Sequence, residues 1–484
     1  MKLYLRGHED RYAVEQLQLA LFPEETMEPV DAPFAGDGAV SALSRGSVYL
    51  TATAKITLHG KTAFAMRRVK RTDDVPTVRR LLQNTYYAAA MQLRQPPEWG
   101  SLSGVRPSKL TTRHLLAGGD AAGADRLLKD AYHVSPERRR LCIEASLATV
   151  EAAKRLREND ISVYVGIPFC PTRCAYCSFV SASVERLKDQ LPPYLDALEK
   201  EIAHVGKLLQ QSGRRVRTLY IGGGTPTTLS TVQMQRLMDA IAAHFDLTDL
   251  IEYTVEGGRP DTLSLTKLKT VRAMGCDRMS INPQTMNDAV LSCVGRRHTA
   301  ADTVAAFADA KQAGFEGINM DLIAGLPTDT PDSFASSLEQ VLALQPTNVT
   351  VHTLALKKGA DLFFDRLRLP TADEVRQMLQ GAERRLRAEG YAPYYLYRQK
   401  YMSGSFENVG WCKPGFLGLY NIYMMEELHS IISLGGGGMT KINLPGGKLE
   451  RFHNPKFPQQ YIERIEDVLS QKDVAFALLC RSTR

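Results

Sequence analysis

Tyr164-Val165-Gly166-Ile167-Pro168-Phe169-Cys170-Pro171-Thr172-Arg173-Cys174-Ala175-Tyr176-Cys177 joins a short β-rich run to three cysteines in C-x3-C-x2-C spacing. The run, 162–167, is the first of six of its kind. The others are 217–222, 251–256, 278–282, 317–323 and 348–354. Stretches with helical spacing separate them: 188–211, 231–245, 261–275, 301–313 and 332–344. Parallel neighbours need such crossover connections, so the alternation predicts a parallel sheet covered by helices. Six strands fall short of the eight of a closed barrel. The expected class is therefore α/β: a partial (β/α)6 TIM-type barrel, open on one side. An open doubly wound sheet is the alternative. In both, ligands gather at the C-terminal ends of the strands. The cysteine loop leaves the first strand at that end.

The rest of the 484-residue chain is less decisive. Residues 1–160 are expected to form a separate α+β domain, with strands over 48–54 and 56–58, Gly60 in a turn, and helices over 77–94 and 136–158. The barrel is assigned to 161–365 and a smaller C-terminal cap or substrate domain to 366–484. In that last part, 372–389 and 421–432 have helical spacing, and glycines cluster at 435–438. Hydrophobic residues at 44% and charged residues at 23% are ordinary globular values and exclude a disordered or disulfide-dense chain. No apolar run approaches the ~20 residues of a membrane span. The charged first 15 residues lack a signal peptide's apolar core, so a cytoplasmic monomer without membrane contact is expected. The net charge of +7 is mild, and a nucleic-acid partner is not expected. Residues 1–160 hold 24 of the 60 basic and 19 of the 53 acidic residues. The densest stretch, Arg67, Arg68, Lys70 and Arg71 with Arg79 and Arg80, reads first as a solvated face.

Eight cysteines are present, and disulfides are not expected in a cytosolic chain of this size. Cys142, Cys276, Cys293, Cys412 and Cys480 stand singly and read as buried packing residues. Cys170, Cys174 and Cys177 are close enough to grip one metal centre. A structural zinc would need a fourth ligand from far away, because no second CxxC exists. A 4Fe–4S cluster held by three thiolates leaves one iron open to a small molecule, the reading favoured here.

C-x3-C-x2-C with Tyr176 before the last cysteine resembles the signature of radical S-adenosylmethionine (SAM) enzymes. The resemblance implies a 4Fe–4S cluster on Cys170, Cys174 and Cys177, whose open iron binds SAM. Gly222-Gly223-Gly224-Thr225-Pro226-Thr227, after the second strand, resembles the SAM-binding glycine segment. Together with 284–296, 321–327 and Ser433-Leu434-Gly435-Gly436-Gly437-Gly438, the order resembles the oxygen-independent coproporphyrinogen III oxidase-like family, and within it the HemZ branch. Carried over, Tyr164, Gly223 and Glu256 would serve a cluster-bound SAM. Tyr176, Gly224, Thr225, Gln284, Arg296 and Asp321 would line a second SAM. The implied substrate is a tetrapyrrole, the implied reaction oxidative decarboxylation of coproporphyrinogen III propionates to the vinyls of protoporphyrinogen IX, and the implied redox partner an electron donor such as flavodoxin or ferredoxin; a haem-binding, chaperone-like member of the family and another radical SAM enzyme that modifies tetrapyrroles are the alternatives. Arg173, Arg259, Arg296, Arg297 and the Tyr-rich segment 391–401 are candidates for substrate carboxylates. His298 and His352 read as structural. The chain departs from the biosynthetic pattern at Gly166, where His is usual, and at Ser178-Phe179, where a fourth cysteine is usual.

Overall fold

A computed structural model describes residues 1–22, 25–177, 182–355, 367–399 and 406–481. The chain forms two compact units, Met1–Ser146 and Leu147–Arg484. The 365/366 boundary, Ser178-Phe179, Lys400 and Tyr401 lie outside the described residues.

The first unit is a five-stranded sheet backed by helices. Its strands are β1 (Lys2–Arg6), β2 (Glu28–Val30), β3 (Gly38–Arg45), β4 (Tyr49–Leu58) and β5 (Lys61–Lys70), in the order β2-β1-β3-β4-β5. The two expected strands within 48–58 are one continuous strand. Helices α1 (Arg11–Leu21) and α2 (Val75–Ala90) start where Asp10 and Asp74 accept hydrogen bonds from Ala13 N and Thr77 N. Val14, Leu17 and Leu21 of α1 meet Tyr86, Tyr87, Ala89 and Ala90 of α2 over Leu3, Ala39, Ala54 and Ile56 of the sheet. Helices α3 (Ser108–Leu116), α4 (Ala121–Tyr132) and α5 (Pro136–Ala153) follow.

The second unit contains the six expected strands: β6 (Asp160–Ile167), then, after the short pair β7 (Phe169–Cys170) and β8 (Ala182–Ser183), β9 (Arg215–Gly223), β10 (Glu252–Gly258), β11 (Arg278–Ile281), β12 (Gly317–Ala324) and β13 (Asn348–Thr353). They pair in parallel in the spatial order β6-β9-β10-β11-β12-β13, which is also their chain order. A doubly wound sheet reverses direction at a switch point, and here there is none. Successive crossovers of one hand then keep all helices on one side, and the sheet curls as a barrel does.

Strands from the C-terminal region extend this same sheet instead of forming one of their own. β14 (Ala392–Arg398) and β15 (Glu407–Cys412) add antiparallel beyond β13. β16 (Ile431–Gly435) adds parallel to β6, followed by β17 (Met439–Leu444) and β18 (Lys448–His453). The helix expected over 421–432 is thus corrected: it spans Leu419–Glu426, and β16 begins at Ile431. All five residues of β16 are buried, and a short run buried on both faces has no period that separates strand from helix.

The cysteine reading also needs correction. Cys142, Cys276 and Cys412 are buried as expected, but Cys293 is half-buried and Cys480 is exposed. Cys480 lies on the outer side of the last helix, Ile465–Arg481, so core packing does not account for it.

Candidate active site

The cysteine loop is held on three sides. Gly224 N donates to Ile167 O at 2.9 Å and Thr225 N to Phe169 O at 2.7 Å, which ties the glycine segment after β9 to the strand end before the cysteines. The Thr225 hydroxyl donates to Cys170 Sγ at 3.4 Å. Ala175 N donates to Val294 O, and Cys177 N turns back onto Cys174 O, both at 3.1 Å. Glycine at 223 and 224 is a packing requirement. A Cβ on Gly224 would stand 2.6 Å from Phe169 O and 2.9 Å from Cys170 Sγ. Gly223 has φ +121° and faces Ile167 N and O at 3.0 Å.

Glu256, Asp321, Tyr164 and Tyr220 point into one lumen. Each is surrounded by protein yet partly reached by solvent. Tyr164 and Tyr220 are in register across β6 and β9 and stack at 6.1 Å between centroids. Tyr420, from the helix Leu419–Glu426, closes the stack at 4.7 Å from Tyr220. Burial, reinforced by the Asp321 charge, pushes the Glu256 carboxyl up to about 8; one 3.4 Å hydrogen bond from Gly223 N does little to oppose it. Asp321 goes the other way. Burial works against its charge, but hydrogen bonds from His352, Asn319 and Thr350 outweigh it and hold the carboxyl below its ordinary value.

A second cluster lies at the C-terminal end of β11. Gln284 has φ +69°, and its backbone is bonded to β12 through Asp321 O and Ile323 N, both at 2.9 Å. A non-glycine residue held there carries backbone strain, which collects at ligand sites. Arg296 is buried, bonds Cys174, and donates to the carbonyls of Asn282 and Pro283. Tyr176 also bonds Cys174. Ser280 Oγ, Asn282 Oδ1, Gln284 Oε1 and Arg296 Nε are buried with no partner among the described residues. Unmatched buried groups cost roughly 1–3 kcal/mol each, so this wall is built for a polar ligand.

These residues fit the expected groups. Among the described residues, no three His, Cys, Asp or Glu side chains converge as a single ion would need. An iron–sulfur cluster takes its thiolates on separate irons, so three cysteines spread around a loop suit it better than they suit zinc. Tyr164, Gly223 and Glu256 stand on one side of that loop. Tyr176, Gly224, Thr225, Gln284, Arg296 and Asp321 stand around it and toward β11 and β12.

The four arginine candidates separate. Arg259 is 2% exposed, and its fork is taken by Asp261 at 2.9 and 2.6 Å and by Thr172 at 2.5 Å. Arg296 serves the cysteine loop. Arg297 is exposed and paired with Glu185 at 2.7 Å. Arg173 is exposed with no ion pair among the described residues. At the departure from the family pattern, a Cβ on Gly166 would lie 2.9 Å from Gly436 O. Tyr194 clamps this junction, donating to Gly166 O at 2.6 Å and accepting from Gly436 N at 2.7 Å.

Two histidines read as merely structural behave differently. His352 Nε2 lies 3.5 Å from Asp321 Oδ2, and its Nδ1 lies 3.4 Å from Tyr397 OH, so it faces the lumen. His298 is buried, and burial, then Arg296, pushes it down to about 4 against a weaker opposing contact with the Pro283 backbone. Inward alternation along β12 to β14 is the signal that could have found His352 and Tyr397.

Comparison with known proteins places this site. The Radical SAM superfamily model matches residues 164–341. The oxygen-independent coproporphyrinogen-III oxidase-like protein HemZ of Bacillus subtilis is 38% identical over 382 residues, 78% of this chain and 76% of that protein. The heme chaperone HemW of Haemophilus influenzae is 28% identical over 317 residues, 65% of this chain and 78% of that one. The solved coproporphyrinogen III oxidase HemN of Escherichia coli, described as a radical SAM enzyme, superposes with a TM-score of 0.54 at 27% identity, covering 67% of this chain and 73% of that one. The chain belongs to the radical SAM superfamily and, within it, to the oxygen-independent coproporphyrinogen III oxidase-like family.

Proposed function

We propose that the protein oxidatively decarboxylates the propionates of coproporphyrinogen III to vinyl groups, giving protoporphyrinogen IX. The observation that carries this reading is the 38% identity to HemZ, which runs far beyond the 164–341 core. Family membership implies a 4Fe–4S cluster and SAM. When bound, the cluster supplies an electron that cleaves SAM to a carbon radical able to take a hydrogen atom from the substrate. For each propionate, a β-hydrogen atom passes to 5′-deoxyadenosine, CO2 leaves, the remaining electron goes to a one-electron acceptor, and a vinyl remains.

The chain's own residues do the positioning. Cys170, Cys174 and Cys177 hold the cluster at the C-terminal end of β6. Gly223 and Gly224 let the backbone approach it. Glu256, largely protonated at neutral pH, can accept from and donate to a ribose diol. Asp321, held below its ordinary value, stays ionised on β12 beside Gln284, whose backbone it pairs with, and a second SAM would sit along the wall of unmatched polar groups. Arg173, exposed and without an ion pair among the described residues, would meet a substrate carboxylate. A reduced flavodoxin or ferredoxin would deliver the electron.

The test is anaerobic reconstitution, then incubation with SAM, reductant and coproporphyrinogen III. Formation of 5′-deoxyadenosine with mono- and divinyl products supports the reading. A second reading, haem delivery without decarboxylation, is favoured by the similarity to HemW and by Phe179 where a fourth cysteine is usual. Stable stoichiometric haem binding with neither product would replace the first reading with the second.

A further inference from the structure

The first unit carries a surface that the radical chemistry does not use. Helices α1 and α2 cover one face of its sheet, and the other face is open. Along β4, Leu50, Ala52, Ala54 and Ile56 point into the core, so Tyr49, Thr51, Thr53 and Lys55 point outward. Their neighbours on the edge strand β5 are in register: Tyr49 with Lys70, Thr51 with Arg68, Thr53 with Met66, and Lys55 with Phe64. On the other side, Ser44, Ala42 and Val40 of β3 oppose Thr51, Thr53 and Lys55. The face is a floor of small side chains with aromatic and cationic groups standing on it. Tyr49 is 40% exposed, Phe64 56% and Met66 63%. The Arg68 guanidinium lies 4.9 Å over the Tyr49 ring.

Charge on this face has one sign. β3, β4 and β5 contain no Asp or Glu. Among the described residues, Lys55, Arg68 and Lys70 make no ion pair. Round the β5 edge, on the helix-covered side, a cleft of about 500 Å3 between β5 and α2 is lined by Arg67, Arg68, Thr77, Arg80 and Asn84. Arg79 does not contribute, because Asp10 holds it at 2.8 Å.

Edge strands are commonly guarded by charge against unwanted pairing, and the lysines alone would need no other explanation. Exposed Phe64 and Met66 on the same edge work against such protection. Flat rings between unpaired cations, over a small-residue floor, match a polyanion with flat bases. The net charge of the chain averages this local pattern away.

We propose that the open face of β3–β5 binds single-stranded nucleic acid, with bases stacking on Tyr49 and Phe64 and phosphates meeting Lys55, Arg68 and Lys70. The inference stands apart from the proposed decarboxylation.

The experiment is fluorescence anisotropy of the full-length protein with labelled twelve-nucleotide oligo-U, oligo-dT and a duplex of equal length. Single strands should bind and the duplex should bind at least tenfold more weakly. Three neutralised phosphates predict that affinity falls about 20-fold between about 50 and about 200 mM salt. Arg68→Glu with Lys70→Glu should lose tenfold or more. Phe64→Ala with Met66→Ala should lose about tenfold at an unchanged salt slope, and Phe64→Tyr should keep binding. No binding at tens of micromolar in low salt, duplex binding equal to single-strand binding, or indifference to the Phe64/Met66 change would overturn the proposal. A dimer that only the Phe64/Met66 variant dissolves, without any nucleic-acid binding, would assign the face to a second copy of the chain.

Discussion

Glu256→Gln tests the electrostatics of the lumen without touching the cysteines. The Glu256 carboxyl sits at about 8, against an ordinary 4.5. A raised acid binds its proton more tightly in the folded protein, so folding is favoured at low pH and loses ground as pH rises from 4.5 to about 8. At ~1.4 kcal/mol per pH unit, ionising Glu256 in the native state costs up to about 5 kcal/mol. Solvent access through the lumen and the freedom of the side chain to relax reduce this to about 2 kcal/mol. Glutamine is neutral at every pH. The variant should therefore match the wild type near pH 5 and exceed it near pH 8.5, by about 2–4 °C in melting temperature. The assay is a pair of thermal melts of cluster-loaded, SAM-free protein under anaerobic conditions. SAM should then raise the wild-type melting temperature more than that of the variant, because the variant loses a ribose partner. Equal pH dependence of the two proteins would refute the assignment of Glu256 as a buried, raised carboxyl.

Cys174→Ala should abolish the broad absorbance at about 400 nm of the reconstituted protein and its iron content, measured by spectrophotometry and iron assay. Gly224→Ala places a methyl against Phe169 O and Cys170 Sγ; it should cost about 1–3 kcal/mol and lower cluster occupancy, read by melting and by iron per chain. Lys472 and Glu201 form a buried pair at 3.2 Å, and Glu201 also accepts from Gly435 N and Tyr461 OH. Lys472→Met leaves that carboxylate without its cation and should destabilise by about 3–5 kcal/mol, seen as a lower midpoint in denaturant.

Much of the barrel was readable before any coordinates. β6, β9, β10, β12 and β13 are apolar or alternating runs separated by helix-length spacers, and each was expected within a few residues. The choice between barrel and doubly wound sheet was not readable, since it rests on spatial order alone. The sheet extensions β14 to β18 were missed for another reason. Their partners lie far away in sequence, as when β16 pairs with β6 across some 270 residues, and local pattern holds no trace of such pairing. The cysteine loop was legible because three thiols in eight positions have little other use. The glycines at 223 and 224 were legible as a turn, but the structural reason, contact with Phe169 O and Cys170 Sγ, needed the fold. Arg259 shows the opposite error: listed for substrate by type, it is already held by Asp261, two positions away. Cys480 shows that a lone cysteine is not buried by default.

The central claim is that a substrate propionate gives up its β-hydrogen. The direct measurement is anaerobic turnover with coproporphyrinogen III deuterated at the propionate β-carbons, followed by mass spectrometry of the nucleoside. The account predicts one deuterium in 5′-deoxyadenosine and one vinyl formed for each nucleoside released. 5′-Deoxyadenosine without deuterium, or released without any vinyl product, would contradict it.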